Sequence, residues 1–257
     1  MAYRCLLASL FVFAGASLHA QGIITTIAGN GSIGSSGDGG PATSATLGSA
    51  NGIVVDKSGN IYFADSIFSV VRKVDTHGNI SKFAGGGSGA SLGDGGPATS
   101  ASLSFQGPHA GLAVDSVGNL YIADYIHSRI RKVDGNGNIS TVAGNGTTNG
   151  LGAFSGDGGP ATSAGLNSPT GVAFDSAGNM YIADYGNERV RKVDTKGTIT
   201  TFAGIGVVTA SDSGDGGLAT SAELGQVYDV AADSKGNVYI ADSEHVREVN
   251  SSGIIST

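Results

Sequence analysis

The chain has 257 residues, with 14 lysines and arginines against 21 aspartates and glutamates and a formal net charge of −7. The two signs are interspersed rather than blocked, which excludes nucleic acid as a partner. A hydrophobic content of 40% beside 44 glycines describes a turn-rich chain able to build a core, not a disordered Gly/Ser linker.

At the N-terminus, Arg4 precedes an apolar run from Leu6 to Ala16, and small residues stand at Ala14, Ala16 and Ala20. This is the pattern of a secretory signal peptide spanning residues 1–20. Ala14-Gly15-Ala16 also fits the small-x-small rule, but cleavage after Ala20 leaves the longer hydrophobic core. The run is too short to cross a bilayer, so the expectation is a secreted or periplasmic protein with no membrane span after cleavage. Removal of Arg4 takes the charge from −7 to −8. Removal of Cys5 leaves residues 21–257 without a cysteine, and so without disulfides or thiolate metal sites.

Gly22-Ile23-Ile24-Thr25-Thr26-Ile27-Ala28-Gly29 then reads as a lone strand, and four similar units follow at about 30–85, 86–144, 145–204 and 205–257. Each unit opens on Gly-Asp-Gly-Gly and Ala-Thr-Ser-Ala, which reads as a short helical turn begun by Pro41, Pro97 or Pro160. GIVVD, GLAVD, GVAFD or DVAAD comes next, followed by NIYFAD, NLYIAD, NMYIAD or NVYIAD, whose last residues are Asp65, Asp124, Asp184 and Asp242, spaced 59, 60 and 58 apart. VVRKVD, RIRKVD, RVRKVD or HVREVN completes the inner three, and NISKFAG, NISTVAG or TITTFAG closes the unit, shortened to Gly253-Ile254-Ile255-Ser256-Thr257 in the last.

These short β-branched and aromatic segments bounded by Gly, Asn and Asp predict four strands per unit. In the second strand Ile61 and Phe63 point one way and Tyr62 and Ala64 the other, so both faces are apolar and need cover. Ser81, Ser140, Thr141, Thr200 and Thr201 mark the fourth strand as the one that meets water. Inner strands buried and outer strands wet predict an all-β propeller of four-stranded blades. Asp56-Lys57-Ser58-Gly59-Asn60 and its relatives predict hairpin turns. Asp134-Gly135-Asn136-Gly137-Asn138 imitates a calcium loop but has Asn145 where the closing glutamate belongs.

Candidate binding residues are of two kinds. Asp38, Asp94, Asp157 and Asp215 recur in every Gly-Asp-Gly-Gly loop and would line one face as a cation or ligand ring, or else cap the short helices as architecture. His109, His127 and Asp229 break the repeat: the histidines occur in one unit only, too few for a zinc site, and Asp229 replaces a glycine. Asp65, Asp124, Asp184 and Asp242 recur with Arg72, Arg131, Arg191 and Arg247, which reads as a structural set in which aspartate holds the next loop and arginine pairs nearby.

The motif G-[IVL]-[AV]-x-D, then G-N-x-Y-x-A-D, then R-[IV]-R-K-V-D resembles the NHL repeat over nearly all of residues 22–257. The long variant with GDGGPATSA resembles secreted bacterial NHL-repeat proteins and the NHL domain of teneurins. The resemblance implies a β-propeller used for recognition, commonly six-bladed, so four visible repeats imply either a four-blade ring with one redundant strand or an arc of a larger one. The expected function is a non-catalytic binding scaffold for a protein or glycan ligand, without a resident cofactor. One alternative is a metal-dependent propeller enzyme of the lactonase or amidating-lyase type, whose dispersed ligands match no set of residues here. Another is a structural spacer within a larger multidomain protein. No Gly-x-Ser-x-Gly elbow, His-Glu-x-x-His or phosphate loop stands in the sequence.

Overall fold

The computed structural model describes residues 23–88, 92–105, 109–146, 154–207 and 213–257; the leader 1–20 lies outside them. Four antiparallel four-stranded sheets form a four-blade β-propeller. Blade 1 holds β1 (Ala50–Val55), β2 (Ile61–Asp65), β3 (Val70–Val74) and β4 (Ile80–Gly85). Blade 2 holds β5 (Leu112–Val114), β6 (Leu120–Asp124), β7 (Arg129–Val133) and β8 (Ile139–Ala143). Blade 3 holds β9 (Gly171–Phe174), β10 (Met180–Asp184), β11 (Arg189–Val193) and β12 (Ile199–Ala203). Blade 4 holds β13 (Val227–Ala232), β14 (Val238–Asp242), β15 (His245–Val249) and β16 (Ile255–Ser256). Among the described residues no helix is long and apolar enough to cross a membrane.

The hairpins are set by their aspartates. Asp56 Oδ1 accepts the amides of Ser58 and Asn60, both at 2.9 Å, while Oδ2 accepts Asn60 Nδ2 at 2.7 Å and the Tyr62 hydroxyl at 3.2 Å. Asp115, Asp175 and Asp233 repeat this arrangement, with Gly59, Gly118, Gly178 and Gly236 in the positive-φ position the turn demands. A carboxylate that accepts two local amides offers the backbone a tighter bend than the ladder itself, which ends one strand and starts the next.

Both faces of each second strand are covered, by different neighbours. Tyr62 and Ala64 join Val71 and Ala84 in packing on Leu112, Leu120 and Ile122 of blade 2, while Phe63 turns to Leu47, Val74 and Ile80. The same division recurs between blades 2 and 3 and between blades 3 and 4. Each fully buried isoleucine or leucine in these layers stabilises the fold by roughly 1.5–3 kcal/mol.

Where successive inner strands meet, space is the constraint. A Cβ on Gly52 would collide with the Ala110 carbonyl, one on Gly111 with the Thr170 carbonyl, and one on Gly171 with Asp229. Glycine is therefore required at that position whenever another inner strand follows. Asp229 stands at the corresponding place in the fourth unit, where it packs against Gly171.

The four repeats form four blades among the described residues, and the face of blade 1 that holds Ile53 and the face of blade 4 that holds Val246 are not packed on another blade: Ile53 of β1 is 70% exposed and Val246 of β15 is 68% exposed, although their counterparts in the inner junctions are buried. The segment from Ile23 to Gly29 does not complete blade 4.

Candidate functional site

The recurring aspartates and arginines form one clamp per blade. The guanidinium of Arg131 is fully buried; its Nη2 donates to Asp94 Oδ1 at 2.6 Å and to the Leu92 carbonyl at 2.9 Å, and its Nη1 to Asp124 Oδ2 at 3.2 Å. Arg191 likewise joins Asp157 at 2.6 Å and Asp184 at 3.3 Å. Arg72 joins Asp38 at 2.8 Å, and Arg247 joins Asp215 and lies 3.9 Å from Asp242. Asp65, Asp124 and Asp184 also take backbone amides of the loop leading to their own blades: Gly48 at 2.8 Å for Asp65, Ser104 at 2.9 Å for Asp124 and Asn167 at 2.8 Å for Asp184.

The loop aspartates are thus divided among the blades rather than gathered into a ring. Nor do they cap the short 3₁₀ turns at Ala42–Ser44, Ala98–Ser100, Ala161–Ser163 and Ala219–Ser221, none of which receives a side-chain cap. Their architectural role is to bind arginine, at a separation of 32 to 37 residues. Among the described residues, no three His, Cys, Asp or Glu side chains converge as a metal site requires.

The clamps have uneven electrostatics. Burial pushes Asp157 upward, but hydrogen bonds from Thr201 and Arg191 outweigh it and hold the carboxyl below the ordinary value. Asp184 is wholly enclosed, and desolvation wins over the Asn167 amide, Asn187 and Arg191, raising it from 3.8 to about 6. His127 proves to be a clamp residue: its Nδ1 lies 2.9 Å from Asp124 Oδ1, where Asn187 serves Asp184 in the next blade at 2.8 Å. The calcium-like stretch at 134–138 is an Asx turn, with the amides of Asn136 and Asn138 on Asp134 Oδ1.

A different arrangement occupies the end where the inner strands begin. His109 just before β5, Tyr125 just after β6, Tyr185 just after β10 and Tyr228 in β13 form one aromatic cluster from three blades. The His109 ring stacks on Tyr125 at 5.6 Å and 16° and on Tyr228 at 5.8 Å and 22°, with Tyr185 tilted across at 5.6 Å. Tyr185 and Tyr228 are 5.5 Å apart, and the Tyr228 hydroxyl bonds Gln226 Oε1 at 3.0 Å. Burial lowers the His109 pKa, so the ring is neutral at neutral pH and stacks as an aromatic. Burial, with Tyr228 and Tyr125 nearby, pushes the Tyr185 hydroxyl up. The cluster is not sealed: His109, Tyr125 and Tyr185 are half-buried and Tyr228 is 38% exposed.

Of the repeat-breaking residues, His109 is thus brought into a cluster, with Asp229 adjacent in β13, while His127 is not. Tyr228 lies in the divergent run Gln226-Val227-Tyr228-Asp229 of the fourth unit, whereas Tyr125 and Tyr185 escaped the sequence reading; their signal was a tyrosine directly after Ala-Asp in the second and third units, where the first and fourth carry Ser66 and Ser243.

Comparison with known proteins agrees with this architecture. The family model described as the teneurin NHL domain matches residues 31–91, 150–212 and 207–257. Mouse teneurin-4 is 32% identical over 229 residues, covering 82% of this chain and 8% of the teneurin. Chicken teneurin-1 is 30% identical, covering 90% of this chain and 9% of the teneurin. The chain therefore spans less than a tenth of the length of these relatives. Among solved structures, a structural-genomics protein from Bacteroides thetaiotaomicron superposes with a TM-score of 0.59 at 22% identity, covering 77% of this chain and 46% of that one. An auxiliary nutrient binding protein from Bacteroides ovatus gives 0.57 at 19% identity, covering 82% and 49%. The two likenesses show the fold, and the teneurin matches show more: the chain belongs to the teneurin NHL-domain family.

Proposed function

We propose that this chain is an exported, non-catalytic propeller module that holds a protein or glycan ligand against the His109–Tyr125–Tyr185–Tyr228 cluster. The aromatic cluster carries the reading. Three blades contribute to it, it departs from the repeat, and it keeps solvent contact, whereas the repeated aspartates and arginines are held in turns or clamps. Half-exposed tyrosines offer large, rigid, amphipathic surface at low entropic cost, suited to the apolar face of a sugar or to a proline or aromatic side chain. Gln226 and Asp229 stand beside them as polar groups that orient a ligand. A spacer would show ordinary surface at this end, and the cluster weighs against it. Export is supported by the leader at 1–20.

The test is binding of the purified chain to immobilised glycan and peptide panels, with Tyr185→Ala and Tyr228→Ala as variants. A ligand that loses about tenfold or more in affinity with either variant, some 1.4 kcal/mol, supports the site. Full binding by both variants places recognition elsewhere, and no ligand on either panel sinks the scaffold reading.

A further inference from the structure

The end of the propeller that carries the aromatic cluster has its own charge pattern. The segments that lead into the first strands, at 46–49, 101–111, 165–170 and 222–226, contain no lysine or arginine. Nor do the loops between second and third strands, at 66–69, 125–128, 185–188 and 243–244, which hold Glu188 and Glu244. Arg129 and Arg189 begin third strands at this end, but each guanidinium is committed to two carbonyls, those of His127 and Asn145 or of Asn187 and Ile205. Lys57 and Lys235 stand in turns at the opposite end. Where a lysine or arginine lies over a ring in this chain, the ring is Tyr62, Tyr121, Phe154 or Tyr181. Among the described residues, Tyr125, Tyr185 and Tyr228 receive no such cation.

The rings are not all parallel. Tyr185 is inclined by 52° to Tyr125 and by 57° to Tyr228, with centroids 6.3 and 5.5 Å apart, so faces of two orientations border one place. A cation there can lie within about 6 Å of more than one centroid, the range over which the negative face of a ring attracts it. A carboxylate enters from the same strand as Tyr228. Val227 and Val230 are buried while Tyr228 and Asp229 between them are both exposed, because β13 bulges between Val227 and Asp229 and its alternation of side chains is interrupted. The first three units have Gly52, Gly111 and Gly171 at the place of Asp229. Among the described residues, Asp229 accepts the Val230 amide at 2.9 Å and pairs with no lysine or arginine.

We infer that the ligand of this cluster is an organic cation, an ammonium or guanidinium group such as a lysine or arginine side chain presents, held on the faces of Tyr185 and Tyr228 with Asp229 as counter-charge. The inference rests on the binding role proposed above for the cluster and narrows it. A neutral sugar would gain the ring faces but no attraction from the carboxylate, whereas a cation gains both, at an end of the molecule that offers it no competing charge of its own sign.

Titrating the purified chain with matched probes, followed by NMR chemical shifts, tests this. One pair is choline and the neutral alcohol in which carbon replaces its nitrogen; the other is a terminally blocked lysine peptide and its norleucine counterpart. The charged member of each pair is expected to bind about tenfold or more tightly. Tyr185→Leu and Tyr228→Leu are each expected to lose about tenfold, and Tyr185→Phe to keep most of the affinity because the ring face remains. Asp229→Asn is expected to lose several-fold, and the parent's affinity to fall as salt is raised. Circular dichroism checks that the variants fold, and the comparison of probes on the parent chain requires no variant. Tighter binding of the lysine peptide than of choline assigns the cation to a protein side chain, and the reverse to a free amine; either supports the inference. Equal binding of charged and neutral members overturns it, as does a preference for charge that survives both leucine variants. A methyl glycoside that binds and is lost in Tyr185→Leu, with neither cation bound, overturns the inference and leaves the cluster a binding site. A chain that binds none of these probes removes both readings.

Discussion

The two ends of the inner strands are built on opposite plans. Where β1, β5, β9 and β13 finish, Val55, Val114, Phe174 and Ala232 surround a cavity of about 280 Å³, and the aspartates that follow, Asp56, Asp115, Asp175 and Asp233, are locked in the same turn four times over. Where those strands begin, His109, Tyr125, Tyr185 and Tyr228 come from unlike positions of three blades, and blade 1 contributes none of them. Repetition marks what the blade needs in order to fold; departure from repetition marks what the surface is free to use. The clamps belong with the first plan, since each blade has one.

The largest effect is expected from breaking a clamp. Arg131→Ala leaves Asp124 fully buried without its cation, which costs about 3–5 kcal/mol, read as a fall in the chemical-denaturation free energy. Asp94→Asn touches the same arginine from a half-exposed position and is expected to cost about 1 kcal/mol or less. Equal losses would mean that the loop contact, not the buried pair, secures the blade.

The next effect is acid-base and sets the turns against the clamps. Asp75, Asp194 and Asp233 lie below the ordinary 3.8 because backbone amides favour their charged forms. In Asp56, Asp115 and Asp175 burial pushes upward, but hydrogen bonds from asparagine and backbone prevail. These groups bind protons more weakly folded than unfolded. Their stabilisation is complete above 3.8 and is lost as pH falls through the depressed values. Asp184 works the other way: raised to about 6, it favours the folded state most below 3.8 and loses that contribution as pH rises through about 6. The melting temperature is therefore expected to peak between about pH 4 and 6, and Asp184→Asn is expected to flatten the decline on the alkaline side. An unchanged alkaline limb in that variant would show that Asp184 is charged throughout.

The smallest effect on stability is expected at the aromatic end. Tyr228→Ala removes a ring that is 38% exposed and is expected to shift the unfolding free energy by about 0.5 kcal/mol or less, although it weakens ligand binding. A large loss of stability would make the cluster part of the fold and remove the contrast between the two ends.

The repeat made most of the fold legible. Strand number, turn positions and the two-faced second strand follow from local patterns of period two and from Asp, Gly and Asn at fixed offsets, because hairpins are set by neighbours in sequence. The pairing of Asp157 with Arg191 was not legible: 34 residues separate them, and the contact exists only because the loop folds back along its own blade. The same holds for His127, whose rarity suggested a ligand while its place beside Asp124 makes it an anchor.

By itself, then, the sequence determined the four-stranded blade, its turns and the family to which it belongs, because each depends on local propensity or on a pattern repeated four times. Only the tertiary structure decided what lies between blades. The glycine requirement at Gly52, Gly111 and Gly171 and the aromatic cluster both depend on how one blade is wedged against the next. That wedge is fixed by packing across the sheet faces, a constraint that no single repeat contains.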